Sequence, residues 1–274
     1  MLAGTIGERN LWKYAALNRA ADYISSELTA SGYTPRRQTF EVSKLPISNI
    51  EATLPGTTCA DEIVVIGAHY DTVADCPGAN DNGTGVAAVL ELARRFCQRP
   101  QARTVRFVAF VNEEPPFFKT AQMGSSVYAN AAKAAGEHVK GMLALETMGY
   151  YSDARGSQSY PGPVGWMYPD IGNFIGFVAD VRSARLLWKA RRAFKRRTSF
   201  PVQSAALPAQ IPGVGWSDHW AFWQAGYAAM MITDTAPFRY PWYHTSGDTP
   251  DKIDYDKLAD VVDGLEAVIE TVST

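Results

Sequence analysis

Three stretches of the chain, "EIVVIGA" (Glu62–Ala68), "TVRFVAFV" (Thr104–Val111) and "VKGMLAL" (Val139–Leu145), are mostly apolar over seven or eight residues. That is the length of a strand rather than a helix, and a strand apolar on both sides has to be covered on both sides. Around them lie segments with apolar residues at helical spacing: Gly85–Phe96, Gln122–Ala135, Ser183–Arg197, Ser217–Ala225 and Tyr255–Val272. Phe174–Val178 and Ala228–Thr233 read as further strands. Upstream, Leu11–Leu28 has helical periodicity and is ended by Gly32, and residues 34–54 read as two short strands with a turn near Leu45–Pro46. Strands alternating with helices predict an α/β fold: a mostly parallel, mixed central sheet with helices on both faces. We expect a single domain over residues 1–274, with residues 1–55 supplying an N-terminal helix and strands packed onto it. In open sheets of this kind, ligands bind beyond the carboxyl ends of the strands.

A chain of 274 residues is long enough to bury a sizeable core in one large domain. Its formal net charge of −2 gives no reason to expect nucleic acid or an anionic membrane as a partner. No apolar run approaches the roughly 20 residues of a transmembrane helix. The N-terminus, "MLAGTIGERNLWKYAALNRAADY", lacks the basic start and apolar stretch of a signal peptide, so a cytoplasmic location is expected. Cys59, Cys76 and Cys97 are odd in number and in no CxxC spacing, which predicts free thiols. Eight basic residues lie between Arg182 and Arg197, with Leu186, Leu187, Ala190 and Phe194 spaced among them, which predicts a helix with a solvated basic face. Tyr150–Gly172, rich in Gly, Pro, Ser and Tyr, reads as a long loop.

The chemistry-bearing residues gather where strands should end. His69 follows the first apolar run, and Asp71 lies two residues on, on the same side of an extended backbone. There it would orient the His69 ring or sit just behind it. Asp81 lies in the turn Asn80-Asp81-Asn82-Gly83, which opens a helix. Glu113 and Glu114, after the second run, would repel each other unless one binds a cation and the other shares a proton. Glu146 ends the third run, and His244 follows the last strand. Two histidines and several carboxylates, with no cysteine among them, suit zinc in a nitrogen–oxygen site or a two-metal site. His219, beside Asp218, reads as structural or as a support behind a metal ligand, and His138 carries no expected role.

In this order the chain contains "AHYDT", "GANDNGTG", "VNEEPPFF", "ALETMGY", "SDHWAFW" and "YHTSGDTPDKI". Together they resemble the motifs of the co-catalytic dizinc aminopeptidase family, zinc-dependent exopeptidases related to glutamate carboxypeptidases and glutaminyl cyclases. The resemblance runs from about Ile63 to the C-terminus and, more loosely, over the N-terminal helix. It implies a phosphorylase/hydrolase-like architecture and two Zn(2+) ions per chain. Asp81 would bridge the ions, His69 and Glu146 would hold one of them, and Glu114 and His244 the other. Glu113 would be the general base, with Asp71 supporting His69 beside it in the catalytic machinery and Asp218 hydrogen-bonding near the metals. The resemblance also implies a cis peptide between Asp81 and Asn82. One position departs from the pattern: the family's usual aspartate is Glu146 here, in "LETMGY".

The implied activity is hydrolysis of peptide bonds, with release of N-terminal amino acids from peptides that have a free N-terminus. Two other activities on the same scaffold stay open. One is a glutaminyl cyclase-like acyltransferase. The other is a carboxypeptidase, which would hold a terminal carboxylate with a basic residue such as Arg155, Arg182 or Arg239. Aromatic residues flanking the motifs, among them Tyr160, Trp216 and Tyr240, are candidates to line an apolar pocket.

Overall fold

A computed structural model describes residues 1–274, the side chains of residues 163 and 164 excepted. Eight strands form one sheet: β1 (Arg36–Val42), β2 (Leu45–Leu54), β3 (Cys59–His69), β4 (Arg103–Phe110), β5 (His138–Glu146), β6 (Ile175–Ala179), β7 (Val202–Ala206) and β8 (Ala229–Thr233). Their spatial order is β1-β2-β4-β3-β5-β8-β6-β7. The centre, β4-β3-β5-β8, is parallel, whereas β2 joins β4 and β6 joins β8 in the antiparallel sense. The sheet is therefore mixed and mostly parallel, as the alternation of strands and helices predicts.

Seven α-helices accompany it, besides short helical turns of other kinds: α1 (Tyr14–Ala30), α2 (Gly83–Phe96), α3 (Gly124–Ala134), α4 (Ala184–Arg197), α5 (His219–Ala225), the short α6 (Ala236–Arg239) and α7 (Tyr255–Val272). Alternate residues of the central strands feed two cores, as a period of two requires. Val64 and Ile66 of β3 pack with Leu17, Leu92, Phe194 and Val261 from α1, α2, α4 and α7. Ile63 and Val65 pack on the other face with Tyr128 of α3 and Phe222 of α5. On α4, Leu187, Ala190 and Phe194 face inward while the basic residues are exposed, apart from the half-buried Arg191. No helix among the described residues is long and apolar enough to cross a membrane. All three cysteines are free thiols.

Two local details differ from expectation. The first hairpin turns at Ser43 and Lys44, both at positive φ (52° and 65°), rather than at Leu45–Pro46. Two-residue turns of this kind favour Asn-Gly, so a Ser-Lys pair carries no turn signal. Pro46 lies within β2, opposite Glu41, ahead of the stretch from Ile50 that pairs with β4. Its missing N–H therefore costs no bond to β4. Strand β7, "VQSAA", was not expected at all. It is the sheet's edge, and only Val202 is fully buried, so it needs little apolar character.

Candidate metal centre

The site assembles at the carboxyl ends of the four central strands. His69 is the last residue of β3 and Glu146 the last of β5. Glu113 and Glu114 follow the end of β4, and His244 follows β8 and α6. The backbone is unusual at or beside three of these positions: Asn112 before Glu113 (φ 59°), Thr147 after Glu146 (φ 45°) and His244 itself (φ 57°) are left-handed without being glycine. Such conformations persist only where surrounding bonds hold them, and they concentrate at functional sites.

Between β3 and α2 the chain turns through Asn80, Asp81 and Asn82, and the Asp81–Asn82 peptide is cis, as the resemblance implies. The turn is held from every side. Asp248 accepts the backbone N–H groups of Asn80 (2.8 Å) and Asp81 (3.0 Å) and the Tyr240 hydroxyl (2.8 Å). The Asn80 side chain donates to Asp234 at 2.9 Å and accepts the Gly149 N–H at 2.9 Å. Asn82 caps α2 by accepting the Gly85 N–H at 3.1 Å, and it also accepts the Thr147 N–H and donates to the Leu145 carbonyl. A Cβ on Gly85 would lie 2.3 Å from both the Asn82 side-chain oxygen and the Leu145 carbonyl, so only glycine fits where α2 meets β5.

The predicted residues converge. His69 Nε2 lies 3.3 Å from Asp81, 3.4 Å from Glu146 and 3.8 Å from Glu113. His244 Nε2 lies 3.1 Å from the other oxygen of Asp81 and 3.3 Å from Glu114. Two triads result, His69–Asp81–Glu146 and Asp81–Glu114–His244, with Asp81 in both, and within each the donor atoms lie within 4.8 Å of one another. A third grouping joins His69 to Glu113 and Glu114. Asp71 sits 3.6 Å from His69 Nδ1, too far for a hydrogen bond. Its oxygens instead accept the backbone N–H groups of Glu113 and Glu114, each at 3.1 Å. Asp218 is fully buried beside the cluster, yet neither of its oxygens has a hydrogen-bond partner. The preceding residue, Ser217, donates its hydroxyl to Glu146 at 2.6 Å, and the Asn82 amide donates to the same oxygen at 3.4 Å. His219 is buried in α5, 2.8 Å from the Val214 carbonyl, and is not part of the cluster.

Burial dominates the electrostatics. It raises the Glu113 carboxyl well above its usual range, with Glu146 and Glu114 adding repulsion that His69 only partly offsets. Burial and the Asp81 charge push Glu114 up to about 7, and burial pushes Asp218 to about 7. Burial would lower both histidines. In His69 the Glu146 and Glu113 charges overcome it, and in His244 the adjacent Asp81 and Glu114 carboxylates raise the ring to about 10. Asp81 is held far below its usual value, its burial outweighed by the two histidines. Asp81 Oδ1, Glu114 Oε1 and His244 Nε2 are buried in the cluster without a hydrogen-bond partner, and His69 Nδ1 is likewise unpartnered on the side that faces Asp71. Buried polar atoms are normally satisfied. An imidazole nitrogen and carboxylate oxygens left unpartnered around shared centres fit divalent zinc.

Beside Glu146 opens an apolar cavity between the ends of β6, β7 and β8 and the loops that follow, lined by Tyr160, Phe177, Ala205, Ile211, Trp216 and Phe238. No lysine or arginine lines it among the described residues. Arg155 and Arg182 are exposed elsewhere, and Arg239 is buried on Gln158 and the carbonyls of Tyr150 and Phe174. Several residues that build the site carried no expected role. Asp248 lay in plain view inside "YHTSGDTPDK", and Ser217 directly before Asp218, but neither has a spacing that points to Asp81 or Glu146.

The model of peptidase family M28 matches residues 49–269. The uncharacterized protein YfbL of Escherichia coli is 39% identical over 273 residues, which cover 96% of this chain and 83% of its own. The structure of a zinc aminopeptidase from Bacillus subtilis is 25% identical, with a TM-score of 0.63 over 83% of this chain. The match covers only 50% of that aminopeptidase, so the chain spans about half its length. A glutaminyl cyclase from Fimbriiglobus ruber has the same fold, with a TM-score of 0.70 over 97% of this chain and 90% of its own, at 21% identity. The match to most of the chain and the likeness to YfbL show that this protein belongs to peptidase family M28.

Proposed function

We propose that the protein is a metal-dependent aminopeptidase with two zinc ions per chain, releasing apolar residues from peptides with a free N-terminus. Membership of the peptidase family supports metal-dependent hydrolysis of peptide bonds. The observation that carries the finer assignment is the pair of triads sharing Asp81, set beside Glu113 and an apolar cavity that no lysine or arginine lines among the described residues. His69, Asp81 and Glu146 would hold one ion, and Asp81, Glu114 and His244 the other. Bound there, zinc supplies Lewis acidity and lowers the pKa of water to about 7. The longer stem of Glu146 still reaches His69, and its Oε2 is fixed by Ser217.

The chain's own residues then have distinct tasks. Glu113, close to His69 but in neither of the two triads, takes the proton of the attacking water and returns it to the departing amine. Its burial favours the neutral carboxyl that it becomes on taking the proton. Asp71 holds the Glu113–Glu114 backbone so that the two carboxylates point to different tasks. The cavity beside Glu146 takes the side chain of the N-terminal residue, which brings the substrate's α-amine toward carboxylates rather than toward a cation. The absence of Arg155, Arg182 and Arg239 from the cavity lining favours an aminopeptidase over a carboxypeptidase.

A panel of aminoacyl-arylamides, assayed with zinc and with chelator, tests the assignment. Leucyl and phenylalanyl substrates should be cleaved, chelator should abolish cleavage, and elemental analysis should find close to two zinc ions. Ring closure of N-terminal glutamine with one zinc bound and no arylamide cleavage would instead identify a cyclase.

A further inference from the structure

We propose that Arg9 is a positioning residue for the metal centre: its guanidinium ties together the two segments that carry His69 and Asp81 and sets a fixed positive charge behind the acidic cluster. Arg9 is fully buried. Its Nε donates to the Tyr70 carbonyl at 2.6 Å, Nη1 to the carbonyls of Pro77 (2.6 Å) and Gly7 (3.2 Å), and Nη2 to the Gly78 carbonyl at 2.8 Å. Its backbone is paired as well, with its N–H donating to the Thr72 hydroxyl and its carbonyl accepting the Thr72 N–H. One side chain therefore spans from the residue after His69 to the glycine three residues before Asp81.

A buried guanidinium is costly without compensation, and the usual compensation is a paired carboxylate. Arg9 has none in hydrogen-bond contact among the described residues. Every side-chain bond goes to a main-chain oxygen, while Asp71, Asp248 and Asp81 act on it only through their field. Burial lowers its pKa to about 10, so it stays charged near neutral pH. The bonds thus fix backbone position, and the charge is left to oppose the acidic groups around the site. The packing leaves little slack: a Cβ on Gly78 would lie 2.3 Å from the Thr72 side chain, 2.5 Å from the Asp81 carbonyl and 3.1 Å from Arg9 Nη2. Lysine carries the same charge but lacks the planar fork that reaches several carbonyls at once.

The test rests on the metal assignment above and separates the two. Zinc affinity is measured by chelator competition for wild type, Arg9→Lys, Arg9→Met and a control, Arg103→Met, each with its chelated-form Tm. Arg103 bonds to Glu62 and the Val272 carbonyl at the opposite end of the sheet, so its loss reports stability alone. Arg9→Met should weaken zinc binding about 10- to 100-fold, the usual range for groups that support metal ligands. Arg9→Lys, which keeps the charge but not the fork, should still bind zinc more than threefold more weakly than wild type, and Arg103→Met should bind zinc as wild type does whatever its loss of Tm. Zinc affinity within threefold of wild type in Arg9→Lys, which retains the charge and so decides the matter if Arg9→Met does not fold, would overturn the role. So would an equal loss in Arg103→Met. A wild-type protein that takes up no zinc would remove the metal assignment itself.

Discussion

The Asp71 carboxylate accepts the backbone N–H of Glu113 at 3.1 Å, and through its other oxygen that of Glu114 at the same distance. A residue two places beyond the end of β3 thereby holds the turn that leaves β4. Two strand ends share one anchor, and the carboxylate that does this stands 3.6 Å from His69.

Asp71→Asn keeps the shape and loses one of the two acceptors, since an amide nitrogen cannot accept an N–H. Groups supporting metal ligands typically cost 10- to 100-fold when changed, and a loss of about that size is expected in kcat/KM on leucyl-arylamide. Zinc content measured on the same samples should fall less than activity does, because none of the five proposed ligands is altered. Unchanged kinetics would show that the anchor is dispensable.

Glu113→Gln and Glu114→Gln should separate. The first removes the proton acceptor while filling the same space, so kcat should drop about 10²- to 10⁴-fold with zinc content intact. The second replaces a carboxylate in the triad with His244 and should reduce zinc content itself. Activity and metal measured together on both variants distinguish them, and a Glu113→Gln enzyme with near-full turnover would refute the assignment.

Ala205→Phe should narrow the apolar cavity from the β7 side. Turnover of phenylalanyl- and leucyl-arylamides should fall through a raised KM, with alanyl-arylamide little affected. The ratio of kcat/KM values across the three substrates is the measurement, and equal losses for all three would place the side chain of the substrate elsewhere.

With zinc removed by chelator, stability should rise as the pH falls from 8 to 6.5. Glu114 and Asp218, each raised to about 7, bind protons in the folded state that the unfolded chain does not bind in this window. His244, raised to about 10, acts in the same direction, its contribution being fully present below its unfolded value and lost as pH rises through its folded one. His219 has the opposite sign. Burial lowers it to about 4, so its contribution is complete above pH 6.5 and is lost only as the pH falls from there toward 4. Zinc binding requires deprotonated ligands, so the increase in Tm on adding zinc should be larger at pH 8 than at pH 6.5. Thermal melts of chelated and zinc-loaded protein at the two pH values measure this, and a larger increment at pH 6.5 would contradict the proposed ligand set.

What the sequence determined by itself was whatever depends on near neighbours. Runs such as "EIVVIGA" identify strands covered on both faces because burial pattern has the period of the backbone. The order of strands and helices then places His69, Glu113, Glu114 and Glu146 at strand ends, where parallel sheets bind ligands. Local signals failed where the turn chemistry was atypical, at Ser43–Lys44, and where an edge strand needed no apolar character, at Val202–Ala206. Only the tertiary structure decided which groups hold the cluster in shape. Arg9 meets Tyr70 across 61 residues of chain and Asp248 meets Asp81 across 167. The cavity beside Glu146 draws its lining from segments as far apart as Tyr160, Ala205 and Phe238. Such bonds and surfaces leave no periodicity to read, because they depend on how the sheet brings distant segments together, and that is set by the packing of the whole chain.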